Sequence, residues 1–393
     1  MKRLAVGLFL MLVAAVGFSQ ESSILQTYLD NFERGSEDVK LRILERAEEQ
    51  PPEEMGPLYR AAADFLSNNA GRIETSGILR EMTQLTTTGT RESGNVEALE
   101  PLRSVFENYT EPETRIEVLR TFGALGAEDE ETVEWLYDWV SDRNNLQAAG
   151  NPPNAQVVRA AVGAMGQISD PSFFEPLLEA ILAQYSADVS SAAREAMYGL
   201  EGDIVQLAAQ SIGNRGPQAK LEALEFFMGE DELSADQKSA VAAAAIRDAL
   251  ATETRSRETQ DTLREVRFLA LDVISENAYS DATDALISHF NETVLEYDRG
   301  QVTRSRVLDA VSALGNMGTE AAAARLSRFL ELLNNYTEND RPYDSRIVTA
   351  TIRNLEKLGY PVAYNPLFYA SILEGYPKSV QDAAEEAMQS IQE

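Results

Sequence analysis

The stretch VVRAAVGAMGQISDPSFFEPLLEAI, residues 157–181, predicts one helix, a short turn and a second helix. Apolar residues in its first half recur at steps of four and three, on one helix face: Val158, Val162 and Met165. Asp170 followed by Pro171 is typical of a helix start, because aspartate caps a helix and proline suits its first position. The apolar residues that follow predict the second helix.

Three other segments share the register of this first helix. The four are RIEVLRTFGALG (115–126), AQVVRAAVGAMG (155–166), RSRVLDAVSALG (304–315) and VTATIRNLEKLG (348–359). Each carries apolar residues one and four positions before its final glycine, and we expect that glycine to cap the helix in the left-handed conformation. The glycines at 126 and 166 are 40 residues apart, and those at 315 and 359 are 44 apart. The spacing indicates a repeat of about 40 residues.

This pattern resembles the HEAT repeats of the armadillo-like helical class. Residues 157–181 are the copy most similar to the HEAT consensus, residues 306–330 are the second, and the resemblance extends over about 36–393. Tetratricopeptide repeats are the nearest alternative, but their period is near 34 residues and their Trp, Gly and Tyr pattern cannot be placed here. The resemblance implies an all-α fold, an α-solenoid of antiparallel helix pairs.

We divide the chain into a signal peptide at 1–19, divergent N-terminal helical repeats at 20–110, and HEAT-like repeats with a C-terminal cap at 111–393. In the N-terminal repeats we expect helices at 38–50, 51–66 and about 73–85, and a loop in TTTGTRESGN (86–95). Residues 376–393 are interpreted as the polar cap of the last repeat, since a terminal repeat must cover the apolar stack.

The first twenty residues, MKRLAVGLFLMLVAAVGFSQ, have the order of a secretory signal peptide. Lys2 and Arg3 precede an apolar run that ends near Phe18, and Gly17 and Ser19 are small residues of the kind found at a cleavage site. A membrane anchor is the alternative, but the run is shorter than the ~20 residues that span a bilayer. We expect an exported bacterial protein, periplasmic or extracellular, without stable membrane insertion after cleavage.

The composition excludes several classes of protein. The chain has 393 residues, 64 Asp and Glu, 34 Lys and Arg, no cysteine and one histidine, His289. Thiol catalysis, disulfides and cysteine-ligated metals are therefore excluded, and one histidine cannot build a multi-histidine zinc site. The net charge of −30, or −32 once Lys2 and Arg3 are removed, disfavours nucleic acid and favours basic protein partners.

We assign no catalytic residue, no cofactor-binding residue and no metal ligand. The sequence contains no GxSxG, GxxxxGK[ST] or GxGxxG motif. His289 is interpreted as a helix-face residue rather than a catalytic base, because no partnered nucleophile can be named. The acidic runs Glu128–Glu131 and Glu230–Glu232 are expected in turns, and they lack the spacing of an EF-hand.

Three surface features remain as candidates for binding. Trp135 and Trp139 are interpreted as core packing on a helix that is apolar nearly all round, with a ligand site as the alternative. The tyrosines near the C-terminus favour inter-repeat packing over a recognition surface: Tyr336, Tyr343, Tyr360, Tyr364, Tyr369 and Tyr376. One region is rich in arginine, and we interpret its members mostly as solvated ion-pair partners, with an anion or partner site as the alternative: Arg255, Arg257, Arg264, Arg267, Arg299, Arg304 and Arg306.

Two functions follow from these observations. The first is a non-enzymatic scaffold or adaptor for protein–protein interaction in the cell envelope, since solenoids present long binding surfaces. The second is an enzyme or enzyme subunit resembling the HEAT-like lyases, for which we expect polar and aromatic residues around a small-molecule pocket. The oligomeric state is left open.

Overall fold

The computed structural model describes residues 24–392, and all regular structure in that range is helical. The prediction of an all-α, HEAT-like fold of the α-solenoid class is therefore confirmed, with no strand among the described residues. The signal peptide predicted at 1–19 lies outside the described residues.

The helices divide into two compact units, the first ending at Gly202 and the second beginning at Asp203. The helices of the first unit are α1 (24–34), α2 (Glu37–Ala47), α3 (Pro52–Asn68), α4 (Ala70–Ile73), α5 (Gly77–Ser93), α6 (Leu99–Asn108), α7 (Pro112–Leu125), α8 (Glu130–Ala148), α9 (Ala155–Ile168), α10 (Phe174–Leu182) and α11 (Ala187–Tyr198). The helices of the second unit are α12 (Ile204–Asn214), α13 (Pro217–Gly229), α14 (Ala235–Ala251), α15 (Arg257–Asn277), α16 (Thr283–Asp298), α17 (Arg304–Asn316), α18 (Glu320–Glu338), α19 (Ser345–Leu358), α20 (Tyr364–Ile372) and α21 (Lys378–Gln392).

Within each unit the helices form two layers. In the second unit α13, α15, α17, α19 and α21 pack side by side in one layer, and α12, α14, α16, α18 and α20 form the other. In the first unit one layer contains α2, α5, α7, α9 and α11, and the other contains α3, α6, α8 and α10. Consecutive helices alternate between layers because each apolar stripe is buried against the preceding and following pairs.

The second unit repeats the element order of the first, apart from the short α4. Helices α8 and α18 both have 19 residues, and they begin at Glu130 and Glu320, 190 positions apart. Helices α9 and α19 both have 14 residues, and α10 and α20 both have nine. A 3₁₀ turn precedes α6 and α16, and another precedes α10 and α20. The two units are therefore two copies of one arrangement.

Equivalent polar contacts recur in the two copies. Asn144 of α8 donates to the carbonyl of Pro176 at 2.8 Å, and Asn334 of α18 donates to that of Pro366 at 2.9 Å. In each copy the amide nitrogen of a buried asparagine thus finds its acceptor on the backbone of the neighbouring helix, as a buried polar group requires.

A buried lysine caps the C-terminal end of the first helix in each unit. The Lys40 ammonium donates to the carbonyls of Phe32 and Glu33 at the end of α1. The Lys220 ammonium donates to the carbonyls of Ile212 and Gly213 at the end of α12, at 3.0 and 2.8 Å. The last carbonyls of a helix lack intrahelical donors, and a lysine near them supplies one.

The prediction that the repeat glycines are left-handed caps is wrong for three of the four. Only Gly359 has a positive φ, 71°, whereas Gly126 has φ −69° and Gly166 and Gly315 lie inside helices. The glycines are there for close approach. A Cβ at Gly166 would lie 2.9 Å from the Cβ of Ala196 on α11, and one at Gly315 would collide with a side chain of α19.

The loop predicted at 86–95 is also wrong, because α5 continues to Ser93. Thr86, Thr87 and Thr90 are buried, and the Thr87 hydroxyl donates to the carbonyl of Thr83 at 2.9 Å. Gly89 lies where any side chain would collide with the ring of Tyr59. Packing thus overrides the low helix propensity of threonine and glycine.

Candidate functional site

A cluster of buried charged and polar side chains joins α15 to α16 in the second unit. Arg267 is 4% exposed, Glu296 is 5% exposed and His289 is fully buried. Nη2 of Arg267 donates to Oε1 of Glu296 at 2.6 Å, and Nε of Arg264 donates to the same oxygen at 3.1 Å. The second carboxylate oxygen, Oε2 of Glu296, is buried and has no hydrogen-bond partner in the described chain.

His289 supports this cluster as a neutral imidazole. Nη1 of Arg267 lies 3.5 Å from its Nδ1, and because arginine can only donate, Nδ1 accepts and the proton is on Nε2. Nε2 lies 3.3 Å from the hydroxyl of Thr293. Burial, together with the positive charges of Arg267 and Arg306, lowers the pKa of His289 to about 3. The expected helix-face histidine is therefore a buried one, and it stays uncharged at neutral pH.

A cleft of about 350 Å³ opens above the cluster. Its walls are the end of α14, the loop that leads to α15, the first half of α15 and the end of α16. Arg264, Arg267 and Glu296 line it together with Glu253, Glu292 and Arg299. Charged and amide side chains predominate over its few aliphatic ones, so the cleft suits a polar ligand.

The arginine-rich region predicted from the sequence divides into three groups. Arg255, Arg257 and Arg299 are exposed. Arg304 donates to Asp344 at 2.8 Å, and Arg306 lies 4.2 Å from the centre of the Phe268 ring. Arg264 and Arg267 are ion-pair partners of Glu296, as expected, but their side chains are largely buried rather than solvated.

The C-terminal tyrosines also divide. Tyr343 packs against Tyr297, Tyr336 and Phe329, and its hydroxyl donates to Asp298 at 2.8 Å. Burial and then the neighbouring Asp298 raise the pKa of Tyr343 above its ordinary range. Tyr376 is buried, and the Tyr360 hydroxyl donates to the carbonyl of Gly318 at 2.8 Å. Packing is thus the role of these tyrosines.

Tyr369 belongs instead to an exposed apolar surface on α20 and the 3₁₀ turn before it. We call this surface the α20 face, and its members are Val362, Phe368, Tyr369 and Ile372. In the equivalent helix of the first unit, α10, Leu178 occupies the position of Phe368 and is fully buried. The α20 face is therefore an apolar helix surface that the second unit leaves uncovered.

Trp135 and Trp139 lie on the flank of α8, whose buried stripe is Thr132, Leu136, Val140 and Asn144. The expectation that α8 is apolar nearly all round is therefore wrong. Both indole rings meet the Phe106 ring edge to face, at 5.0 and 5.4 Å between centres, and Nε1 of Trp135 donates to Glu107 at 2.9 Å. The structure places these rings in inter-helix packing, as the packing interpretation predicted.

A second cavity, of about 420 Å³, lies among α1, α2 and α3 around Lys40. Burial lowers the pKa of Lys40, whose ammonium lies 4.5 and 4.8 Å from the ring centres of Phe32 and Phe65. Residues 24–392 contain no cluster of three His, Asp or Glu side chains placed to bind a metal ion. No helix in the same range combines the length and apolarity needed to cross a membrane.

Sequence reasoning missed Glu296 and the α20 face. Glu296 is one of 64 acidic residues, and only its position on α16 opposite two arginines distinguishes it. The spacing of Phe368, Tyr369 and Ile372 was a usable signal, since residues four apart lie on one face of a helix. It could not show that this face lacks a neighbour.

One family model matches the chain. Residues 308–331 match the PBS lyase HEAT-like repeat, over the second half of α17, the turn and the first part of α18. No curated protein matches the chain. The match falls on the second of the two copies singled out in the sequence, and it agrees with the helix pairs found throughout both units.

Proposed function

We propose that this HEAT-like helical-repeat protein is a non-enzymatic scaffold or adaptor that binds a protein partner through the α20 face. We also propose that it acts in the bacterial cell envelope or outside the cell, which rests on the signal-like sequence of residues 1–19. The partner is a protein segment with an apolar face, because exposed contiguous apolar side chains mark interaction surfaces.

The exposed α20 face is the observation that carries this proposal. Phe368 is 47% exposed and Ile372 is 57% exposed, and both lie on a helix whose other side is buried against α18 and α21. Burying such side chains stabilises a complex by about 25 cal/mol per Å² of apolar surface.

The charges around the α20 face favour a basic partner. Tyr369 hydrogen-bonds to Glu338, and Glu374 follows α20 by two residues. Both glutamates are exposed, and the chain carries 64 acidic against 34 basic residues. A partner helix with an apolar stripe and lysine or arginine at its edges would match the surface in shape and in charge.

A capture experiment with matched variants tests the proposal. Phe368→Asp and Ile372→Asp should abolish capture of a protein from the native envelope fraction, as shown by mass spectrometry. Leu295→Asp is the control, because Leu295 is also 47% exposed but lies on α16. Equal capture by all three variants would contradict the proposed surface.

An enzyme or enzyme subunit resembling the HEAT-like lyases is the second candidate, and the polar cleft beside Glu296 favours it. The family match to a PBS lyase HEAT-like repeat is compatible with either function. Incubation of the purified chain with small-molecule extract of the envelope distinguishes them. Conversion of a compound by the wild type, reduced by Arg267→Met, would replace the scaffold proposal.

A further inference from the structure

The cleft in the second unit is built from residues that the repeat arrangement does not require. Positions in α5 and α15 are aligned by matching the left-handed residues that follow them, Gly94 and Ala278. In this register Thr83 is the counterpart of Arg267. In α6 and α16, whose buried positions also coincide, Val105 is the counterpart of His289. The first unit thus forms the same helices without these charged and titratable groups.

The walls of the cleft are likewise additions to the repeat. Helix α16 has 16 residues against ten in α6, and the extra length carries Glu296. Helix α15 has 21 residues against 17 in α5, and the extra residues lie at its N-terminus beside the cleft. Burying a charged cluster costs desolvation energy, so its presence in one copy alone indicates a role other than folding.

The charges of the cleft show which groups are available to a ligand. The charge of Arg267 is met by Glu296, and Arg264 is met by Glu296 and by Asp261, whose Oδ1 accepts from its Nη1 at 2.6 Å. Once these ion pairs are set aside, the cleft has more unpaired carboxylate acceptors than cations. Oε2 of Glu296 is buried without a partner, and two further carboxylates, Glu253 and Glu292, line the cleft with one further cation, Arg299.

An unpaired buried carboxylate oxygen is costly, and a donor from a ligand would relieve that cost. The aliphatic side chains of Leu250 and Leu263 line the same cleft and could contact an alkyl chain. The combination fits a charged head on an aliphatic stem, as in lysine or arginine. A volume of about 350 Å³ accommodates such a group.

We propose that this cleft binds an organic cation, an ammonium or guanidinium group on an alkyl chain, with Glu296, Glu292 and Glu253 as its acceptors. The cation enters between the end of α16 and the loop before α15, and its head reaches Oε2 of Glu296. Arg299 at the rim opposes it by like charge. The cation comes either from a free small molecule or from a basic side chain of a peptide.

Isothermal titration calorimetry on the full chain tests the proposal with four probes. Agmatine represents the free cation, capped Gly-Gly-Arg-Gly-Gly the peptide side chain, capped Gly-Gly-citrulline-Gly-Gly its neutral isostere, and sodium sulfate an anion. We expect one or both cations to bind and the citrulline peptide and sulfate not to bind. Tighter binding of the arginine peptide than of agmatine identifies a peptide source, and the reverse order identifies a free cation.

Two rim variants give effects of opposite sign. Glu292→Gln should weaken cation binding about tenfold, whereas Arg299→Gln should strengthen it a few-fold by removing repulsion. An anion site would respond in reverse. Sulfate binding that Arg299→Gln abolishes, or failure of both cations to bind at millimolar concentration, would overturn the proposal. Circular dichroism shows whether each variant is folded, and Glu253→Gln, in an exposed loop, replaces Glu292→Gln if that variant is not.

This proposal does not rest on the α20 face. Phe368→Asp lies on a different helix and should leave the affinity for agmatine and for the arginine peptide unchanged. Loss of partner capture with cation binding intact would support both proposals, and capture that survives Phe368→Asp would remove the scaffold surface alone.

Discussion

The two units form the same arrangement of helices around differently composed interiors. The first unit buries Thr83 on α5 and Val105 on α6, and the second unit buries Arg267 on α15 and His289 on α16 at the matching positions. The residue after Val105 is Phe106 and the residue after His289 is Phe290, and both phenylalanines are buried. The arrangement of helices therefore depends on the shared apolar residues and tolerates very different residues at the neighbouring buried positions.

This difference distinguishes the apolar residues that fold both units from the charged residues that form a site in the second unit alone. Buried charged residues are weak contributors to stability, because desolvation offsets most of their attraction. The first unit forms the same helices without these residues, so the fold itself does not require them. The charged interior of the second unit lies directly under the cleft, which is where a binding function would require it.

The largest expected effect concerns the interior that the units share. Val158 of α9 and Val348 of α19 are both fully buried at matching positions. Val158→Asp and Val348→Asp should each lower the free energy of unfolding by more than about 4 kcal/mol, because an unpaired charge is buried in an apolar stripe. Urea denaturation followed by circular dichroism measures both.

Arg257→Ala provides the control, since its side chain is exposed and the loss should stay within about 0.5 kcal/mol. A penalty for Val348→Asp below 1 kcal/mol, beside a large one for Val158→Asp, would break the equivalence of the two units.

The second effect concerns the interior that differs. Glu296→Leu leaves the Arg267 guanidinium buried without its carboxylate, and we expect a loss of about 3–5 kcal/mol. The double variant Arg267→Met with Glu296→Leu removes both charges and should recover most of that loss, since apolar residues of similar size replace a buried ion pair at little cost. The same urea titrations provide the comparison.

Failure of the double variant to recover would mean that the second unit needs its ion pair to fold. The charged cluster would then be structural, and the inference that it was added for binding would lose its main support.

The fold could be read from the sequence because helix pairs recur with a visible register. The steps of three and four before Gly166 and Gly315 predicted both helices and turns. The reason for those glycines could not be read, because their neighbours, Ala196 and Asn354, belong to the next repeat. The same limit explains the error at 86–95, where the ring of Tyr59 on another helix leaves room only for a glycine at position 89.

The sequence pointed to the arginines of the candidate site but not to their partner. The arginine-rich region drew attention to the right part of the chain, but the arginine pattern does not distinguish Arg264 and Arg267, which lie inside α15, from Arg255 in the loop before it. Their partner, Glu296, is about 30 residues away and has no distinguishing neighbour. The duplication had a signal in the paired prolines of EPLL and NPLF, which precede matching positions in α10 and α20.

The third prediction uses the one histidine to tell the interiors apart. The pKa of His289 is lowered to about 3 in the folded protein and is about 6.5 when unfolded. Below pH 6.5 the unfolded chain therefore binds a proton that the folded chain does not, and stability falls by up to about 1.4 kcal/mol per pH unit. At pH 5 the loss attributable to His289 is about 2 kcal/mol.

His289→Val installs the residue that the first unit has at this position, Val105. The difference in stability between wild type and variant should decrease or change sign in favour of the variant as pH falls from 7 to 5, measured by urea titration at each pH. Parallel curves for the two proteins over this range would contradict the buried, neutral histidine.

The smallest effect compares two helix starts. Asn154 caps α9 by accepting from the amides of Gln156 and Val157 at 3.0 and 3.2 Å, and Asp344 caps α19 by accepting from the amide of Arg346 at 2.9 Å. Asn154→Ala should cost about 1 kcal/mol through the lost cap. Asp344→Ala should cost up to about 1 kcal/mol more, because its other oxygen also accepts from Arg304 at 2.8 Å. Arg304→Ala isolates that ion pair: if it costs nothing and the two cap variants are equally destabilised, then the matching helices start with the same stability, and the charge in the second unit adds nothing at this end.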